Sequence, residues 1–98
     1  ELIQLDGRRI LLAEDNFPNM EIATELLQMR GAQVTPAENG QLAVEAFQRE
    51  SPFFFDAILM DMQMPEMDGC QATEAIRALN RPDAQTVPII ALTANAFA

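Results

Sequence analysis

With 98 residues, 49% of them apolar, and a formal net charge of −9, the chain is one domain at most, large enough to bury about 60–65% of its unfolded surface and to fold without staples. Its acidity argues against direct contact with nucleic acid or anionic lipid, no apolar run approaches the ~20 residues of a membrane span, and the start lacks the basic and apolar regions of a signal peptide. One cysteine, Cys70, excludes an internal disulfide and fits a reducing, cytoplasmic setting.

Residues 1–7 read as the end of a linker. Ile10 to Ala13 is continuously apolar, as a strand covered on both faces should be. Asn16 can cap the following helix with Pro18 in its first turn, and Ile22, Ala23, Leu26, Leu27 and Met29 recur at helical spacing before Gly31 stops it. Gln33 to Thr35, ending at Pro36, is a weak strand of edge composition. Asn39-Gly40 opens a second helix whose stripe is Leu42, Ala43, Ala46 and Phe47, broken by Pro52. Asp56 to Met60 is the third strand, and the turn Asp61 to Gly69 leads into a helix with Ala72, Ala75, Ile76 and Leu79 on one face. Asn80 to Gln85 reads as a polar loop and Val87 to Leu92 as a fourth strand, with a helix beginning around 94–97. Strands alternating with helices predict α/β architecture, a parallel sheet with right-handed crossovers and ligands at the carboxyl ends of the strands.

Glu14, Asp15, Asp61 and Thr93 all fall at that edge. Taken singly, the acidic pair suits a solvated helix start, Asp61 a turn and Thr93 a helix cap. Their joint placement at three strand ends points to one site. Carboxylates without histidine or cysteine form a hard oxygen set that selects Mg²⁺ or Mn²⁺ over zinc. Mg²⁺ is commonly completed by phosphate oxygens, and a carboxylate can attack phosphorus to give an aspartyl phosphate. A threonine hydroxyl at 93 could donate to a phosphoryl oxygen. The Met60, Met62, Met64 and Met67 series reads as core and turn rather than as ligands.

Three segments, Glu14-Asp15-Asn16-x-x-Asn19, Asp61-Met62-Gln63-Met64-Pro65-x-Met67-Asp68-Gly69 and Ala91-Leu92-Thr93-Ala94-Asn95-Ala96, resemble the signature segments of response-regulator receiver domains, most of all those fused to hybrid sensor histidine kinases. The resemblance covers residues 8–98 and implies a flavodoxin-like, doubly wound sheet of strand order 2-1-3-4-5. It implies that Asp61 accepts a phosphoryl group from a phosphohistidine of a histidine kinase or phosphotransfer domain. Glu14, Asp15, Asp61 and the backbone carbonyl of Gln63 would hold Mg²⁺, Thr93 would contact the phosphoryl group and begin the switch, and Gln63 and Asn95 would tune autodephosphorylation. Catalysis would amount at most to self-phosphotransfer and autodephosphorylation, within a hybrid kinase that can be tethered to a membrane sensor.

The family's fifth strand, the lysine ending it and the last helix have no counterpart in this sequence, which contains no lysine. The expectation is therefore a C-terminally incomplete receiver whose apolar fourth strand offers an edge for oligomerisation. Two other functions use the same residues: a Mg²⁺-dependent phosphohydrolase with an aspartyl nucleophile, and a receiver-like interaction module that is never phosphorylated.

Overall fold

Each apolar run becomes a parallel strand, and each segment of helical period crosses back over the sheet. The computed structural model describes residues 4–92 in the order β1 (Arg9–Ala13), α1 (Phe17–Met29), β2 (Gln33–Ala37), α2 (Gly40–Arg49), β3 (Ala57–Asp61), α3 (Gly69–Arg77) and β4 (Ile89–Leu92). The strands lie in the order β2-β1-β3-β4, all parallel. This is the predicted doubly wound order as far as β4. The linker positions 1–3, the helix expected at 94–97, Thr93 and Asn95 lie outside the described residues.

Register follows from burying β1 on both faces. Leu12 pairs with Pro36 on one side and Leu59 on the other, and Asp61 pairs with Leu92. Leu11, Ala13, Ile58 and Met60 face α2 and α3, packing with Phe47, Val44, Ala72 and Ile76. Leu12 faces α1, with Met20, Ala23 and Leu92.

The helices start where polar side chains accept their orphaned N–H groups. Asn16 Oδ1 accepts from Asn19 N (3.0 Å), Asn39 Oδ1 from Leu42 N (2.8 Å) and Asp68 Oδ1 from Gln71 N (2.8 Å). Gln71 Oε1 accepts from Asp68 N in return (3.0 Å), completing a capping box. Gly31, at φ 94°, ends α1 in a conformation that side chains disfavour.

Several expectations need correction. Of the α1 stripe, Ala23 is buried as expected and Leu27 packs partly buried beside it, but Ile22, Leu26 and Met29 are exposed, and Met20, outside the stripe, is buried. Leu42 of α2 is likewise exposed. Strand β2 runs through Pro36 to Ala37, which an edge strand tolerates; among the described residues one side of β2 has no partner strand. Strand β3 begins at Ala57 rather than Asp56 and includes Asp61; β4 begins at Ile89 rather than Val87.

The loop read as polar, 80–85, hides the most thoroughly buried charge among the described residues. Asp83, 1% exposed, takes a two-pronged contact from Arg81, Nε to Oδ1 at 2.7 Å and Nη2 to Oδ2 at 3.2 Å. Arg81 Nη1 also donates to the carbonyls of Phe47 (2.9 Å) and Glu50 (3.0 Å), and its guanidinium lies 4.3 Å from the centroid of the Phe47 ring. Asp83 Oδ2 accepts from Phe53 N (2.8 Å), holding Phe53 at φ 68° with its ring mostly in solvent. One ion pair thereby ties the end of α2, the loop before β3 and the loop before β4.

Candidate metal centre

Parallel strands deliver their carboxyl ends to one edge, so residues far apart in sequence meet there. Glu14 follows β1 directly; its backbone N–H donates to Ala37 O (3.0 Å), which fixes it against the end of β2. Asp61 is the last residue of β3. Carboxylate oxygens of Glu14, Asp15 and Asp61 all lie within 4.8 Å of one another. The structure thus brings together the three acids singled out by sequence. Glu14 and Asp61 are buried and Asp15 is exposed.

Two carboxylates are oriented by neighbouring amides. Glu14 Oε2 accepts from Asn16 N (3.1 Å) and Asp61 Oδ1 from Gln63 N (3.0 Å). The turn after Asp61 is closed by Gly69 N donating to Met62 O (3.3 Å), while Met62 N reaches Leu92 O (3.3 Å). Gly69 is required there, since a Cβ on it would overlap the Asp61 carbonyl oxygen and the Met62 side chain. A cleft of about 600 Å³ opens beside the acids, lined also by Phe17, Met20, Pro36, Glu38, Asn39, Pro65 and Glu66.

No cation offsets this charge among the described residues. All six arginines lie at the opposite end of the sheet: Arg8 and Arg9 at the start of β1, Arg30, Arg49 and Arg77 at the ends of the helices, and Arg81 before β4. Burial, and then the neighbouring Asp61 and Asp15 carboxylates, push the Glu14 carboxyl above its usual range against the pull of the Asn16 amide. Burial and Asp61 push Asp15 upward as well. Clustered hard oxygens with raised proton affinity and no arginine beside them fit a divalent cation such as Mg²⁺ or Mn²⁺.

Protons and metal compete for the same oxygens. Mg²⁺ affinity is therefore expected to fall as pH drops through the raised titrations of Glu14 and Asp15, beginning above the ordinary carboxylate range. Calorimetric titration with Mg²⁺ at successive pH values checks this, and an affinity flat down to pH 4 would contradict it.

The chain matches the response regulator receiver domain family over residues 10–97. It is 50% identical over 91 residues to the sensor protein GacS of Pseudomonas syringae pv. syringae, covering 92% of this chain and 10% of that protein. It is 44% identical over 92 residues to the peroxide stress-activated histidine kinase mak1 of Schizosaccharomyces pombe, covering 93% of this chain and 6% of that one. The chain thus spans a tenth or less of the length of these two relatives. The receiver domain of a sensor histidine kinase from Pseudomonas aeruginosa PAO1 superimposes with a TM-score of 0.82 at 44% identity, covering 93% of this chain and 70% of that one. That neighbour has a magnesium ion coordinated in its active site cleft. Among the described residues, no helix is long and apolar enough to cross a membrane.

Proposed function

We propose, from the premise that this chain belongs to the response regulator receiver domain family, that Asp61 accepts a phosphoryl group from a phosphohistidine and that the resulting change is read by a partner. The observation that carries this reading is the convergence of Glu14, Asp15 and Asp61 within 4.8 Å at the carboxyl edge of the sheet. Gln63 N engages Asp61 Oδ1, which leaves Oδ2 to attack phosphorus. The O–P bond forms as the P–N bond to imidazole breaks, and its electron pair returns to the ring nitrogen.

Glu14, Asp15, Asp61 and the backbone carbonyl of Gln63 would hold Mg²⁺, or Mn²⁺, which when bound supplies neutralisation of the charge on the transferring group. The Thr93 hydroxyl donates to a phosphoryl oxygen and begins the switch. Gln63 and Asn95 control access of the hydrolytic water and so the lifetime of the acyl phosphate.

The donor is a histidine kinase or histidine phosphotransfer domain, and the chain serves within a hybrid histidine kinase on its cytoplasmic side. Residues 8–98 form the receiver unit. A phosphohydrolase of this kind places its acid/base two residues beyond the aspartyl nucleophile; here that position is Gln63, whose amide does not titrate.

Incubation with phosphoramidate and Mg²⁺, followed by intact-mass measurement, is expected to add one phosphoryl group to the native chain and none to Asp61→Asn. Equal labelling of both proteins would overturn the assignment. Sustained turnover of a phosphomonoester would favour the hydrolase, and Mg²⁺ binding without any labelling the interaction module.

A further inference from the structure

The cleft lined by Glu14 and Asp15 is flanked by two further walls from different parts of the chain. Glu38 and Asn39, from the loop entering α2, form one; Pro65 and Glu66, from the loop leaving Asp61, form the other. The walls meet where Gly40 is seated on Met67. Gly40 is buried, and a Cβ built on it would overlap the Met67 carbonyl oxygen, with Met67 Cγ at 3.0 Å and Met67 C at 3.1 Å. The obstruction is mainly backbone, so no rotamer change removes it.

Neither side of this contact has much freedom. Asn39 caps α2 through Leu42 N, which fixes Gly40 at the first helical position. On the other side, Met67 N donates to Pro65 O (2.7 Å) and Glu66 sits at φ 67°. A non-glycine residue in that region is held there by its surroundings, and the first turn of α2 is packed against the next residue, Met67. Gly69, two residues on, is wedged against the Asp61 carbonyl oxygen. Displacement of Met67 would therefore act on the segment that carries Asp61 and Gln63.

The geometry points to Gly40 as a positioning residue: its missing side chain lets α2 act as a stop for the Met67 carbonyl and sets the spacing of the two loops that wall the cleft, and with it the placement of the segment that follows Asp61. This rests on the reading of Asp61 as phosphoacceptor, but the contact and its consequences for the loop can be measured without phosphorylation.

Gly40→Ala is compared with Gln41→Ala, the exposed neighbour in the same turn, in the full chain. At a first-turn position with open space, alanine would favour the helix and raise the urea midpoint. With the Met67 contact, Gly40→Ala is expected to lower the midpoint, shift the amide resonances of Gln63, Glu66 and Met67, and slow labelling of Asp61 by phosphoramidate at saturating Mg²⁺ by about tenfold to a hundredfold, the scale of a small misplacement of reacting groups. Gln41→Ala should change none of these. Unshifted loop resonances with a native labelling rate overturn the proposal.

If the native chain is not labelled, the functional reading fails, and the resonance shifts alone still support or overturn the role of Gly40. If Gly40→Ala does not fold, Gly40→Ala/Glu66→Gly provides the second test, with Glu66→Gly as its baseline. A glycine at 66 lets the turn relax away from the added methyl, so folding returns if the contact is the cause. Failure of the double variant to recover overturns the proposal.

Discussion

Asp83→Ala is expected to lower the free energy of unfolding by about 3–5 kcal/mol, the range for removing one partner of a buried pair. That is a large share of the ~5–15 kcal/mol that holds a domain of this kind together. The loss exceeds that of an ordinary ion pair because Arg81 would keep its charge among Phe47, the end of α2 and the loop before β4 without its carboxylate. Phe53 N would also lose its acceptor, releasing a residue held at φ 68°. Urea unfolding followed by far-ultraviolet circular dichroism measures the effect; a midpoint within experimental error of the native chain would contradict it. The hydrogen bonds from Arg81, and then from the Phe53 amide, hold the Asp83 carboxyl below its usual range despite burial. A depressed carboxylate stabilises above its unfolded pKa, near 3.8, and that stabilisation disappears as pH falls through the lower folded value.

At the metal centre the sign is reversed. In metal-free protein, Asp61→Asn is expected to raise stability by roughly 1–3 kcal/mol, because it removes the charge shared by two like-charge contacts. Two unit charges less than 5 Å apart repel by roughly 3–4 kcal/mol at an effective dielectric near 20 and by about 1 kcal/mol in water. The exposure of Asp15 and the open cleft place the effect between these limits. Saturating Mg²⁺ should narrow this gap, and invert the ranking where the gap is at its lower end: at one hundred times its dissociation constant it stabilises the native chain by about 2.7 kcal/mol, and Asp61→Asn, with one charged ligand fewer, by much less. Thermal melts with Mg²⁺ and with chelator decide the matter, and identical metal-free stabilities would remove the basis for clustered repulsion. The raised Glu14 and Asp15 titrations carry the same sign. The native state binds these protons more tightly than the unfolded chain, so this part of metal-free stability declines as pH rises through their folded values.

How much of this could be read from the residues depended on range. The four strands, the three helices and the first two helix starts were legible because they follow from local pattern: continuous apolar runs at Ile10 and Ala57, and Asn16 and Asn39 placed before helical stripes; the Asp68 cap was hidden inside a turn read as a whole. The acidic cluster was legible because a parallel sheet gathers strand ends, whatever their separation in sequence. On α1, periodicity found Ala23 but not Met20, because the helix carries apolar residues on two faces, and only the sheet decides that Met20 joins Ala23 over Leu12 while Ile22, Leu26 and Met29 face outward. The Arg81 and Asp83 network was invisible because two charges in a loop of Asn, Pro and Gln look solvated until the end of α2 arrives from more than thirty positions away. Gly40 could be read as a helix start, but its opposition to Met67 is a property of the assembled fold.

The segregation of charge has a consequence for encounter. Six acidic residues, Glu14, Asp15, Glu38, Asp61, Glu66 and Asp68, occupy the carboxyl edge of the sheet and its adjoining loops, and every arginine lies toward the other end. The domain therefore behaves as a compass needle. A protein presenting a positive face exerts a torque on it before any surfaces touch, turning the cleft toward the visitor within the ~8–10 Å over which physiological salt lets fields persist. Orientation is then settled during approach rather than by trial collisions, so added salt should act mainly on how often productive encounters occur and only weakly on how long a formed complex lasts.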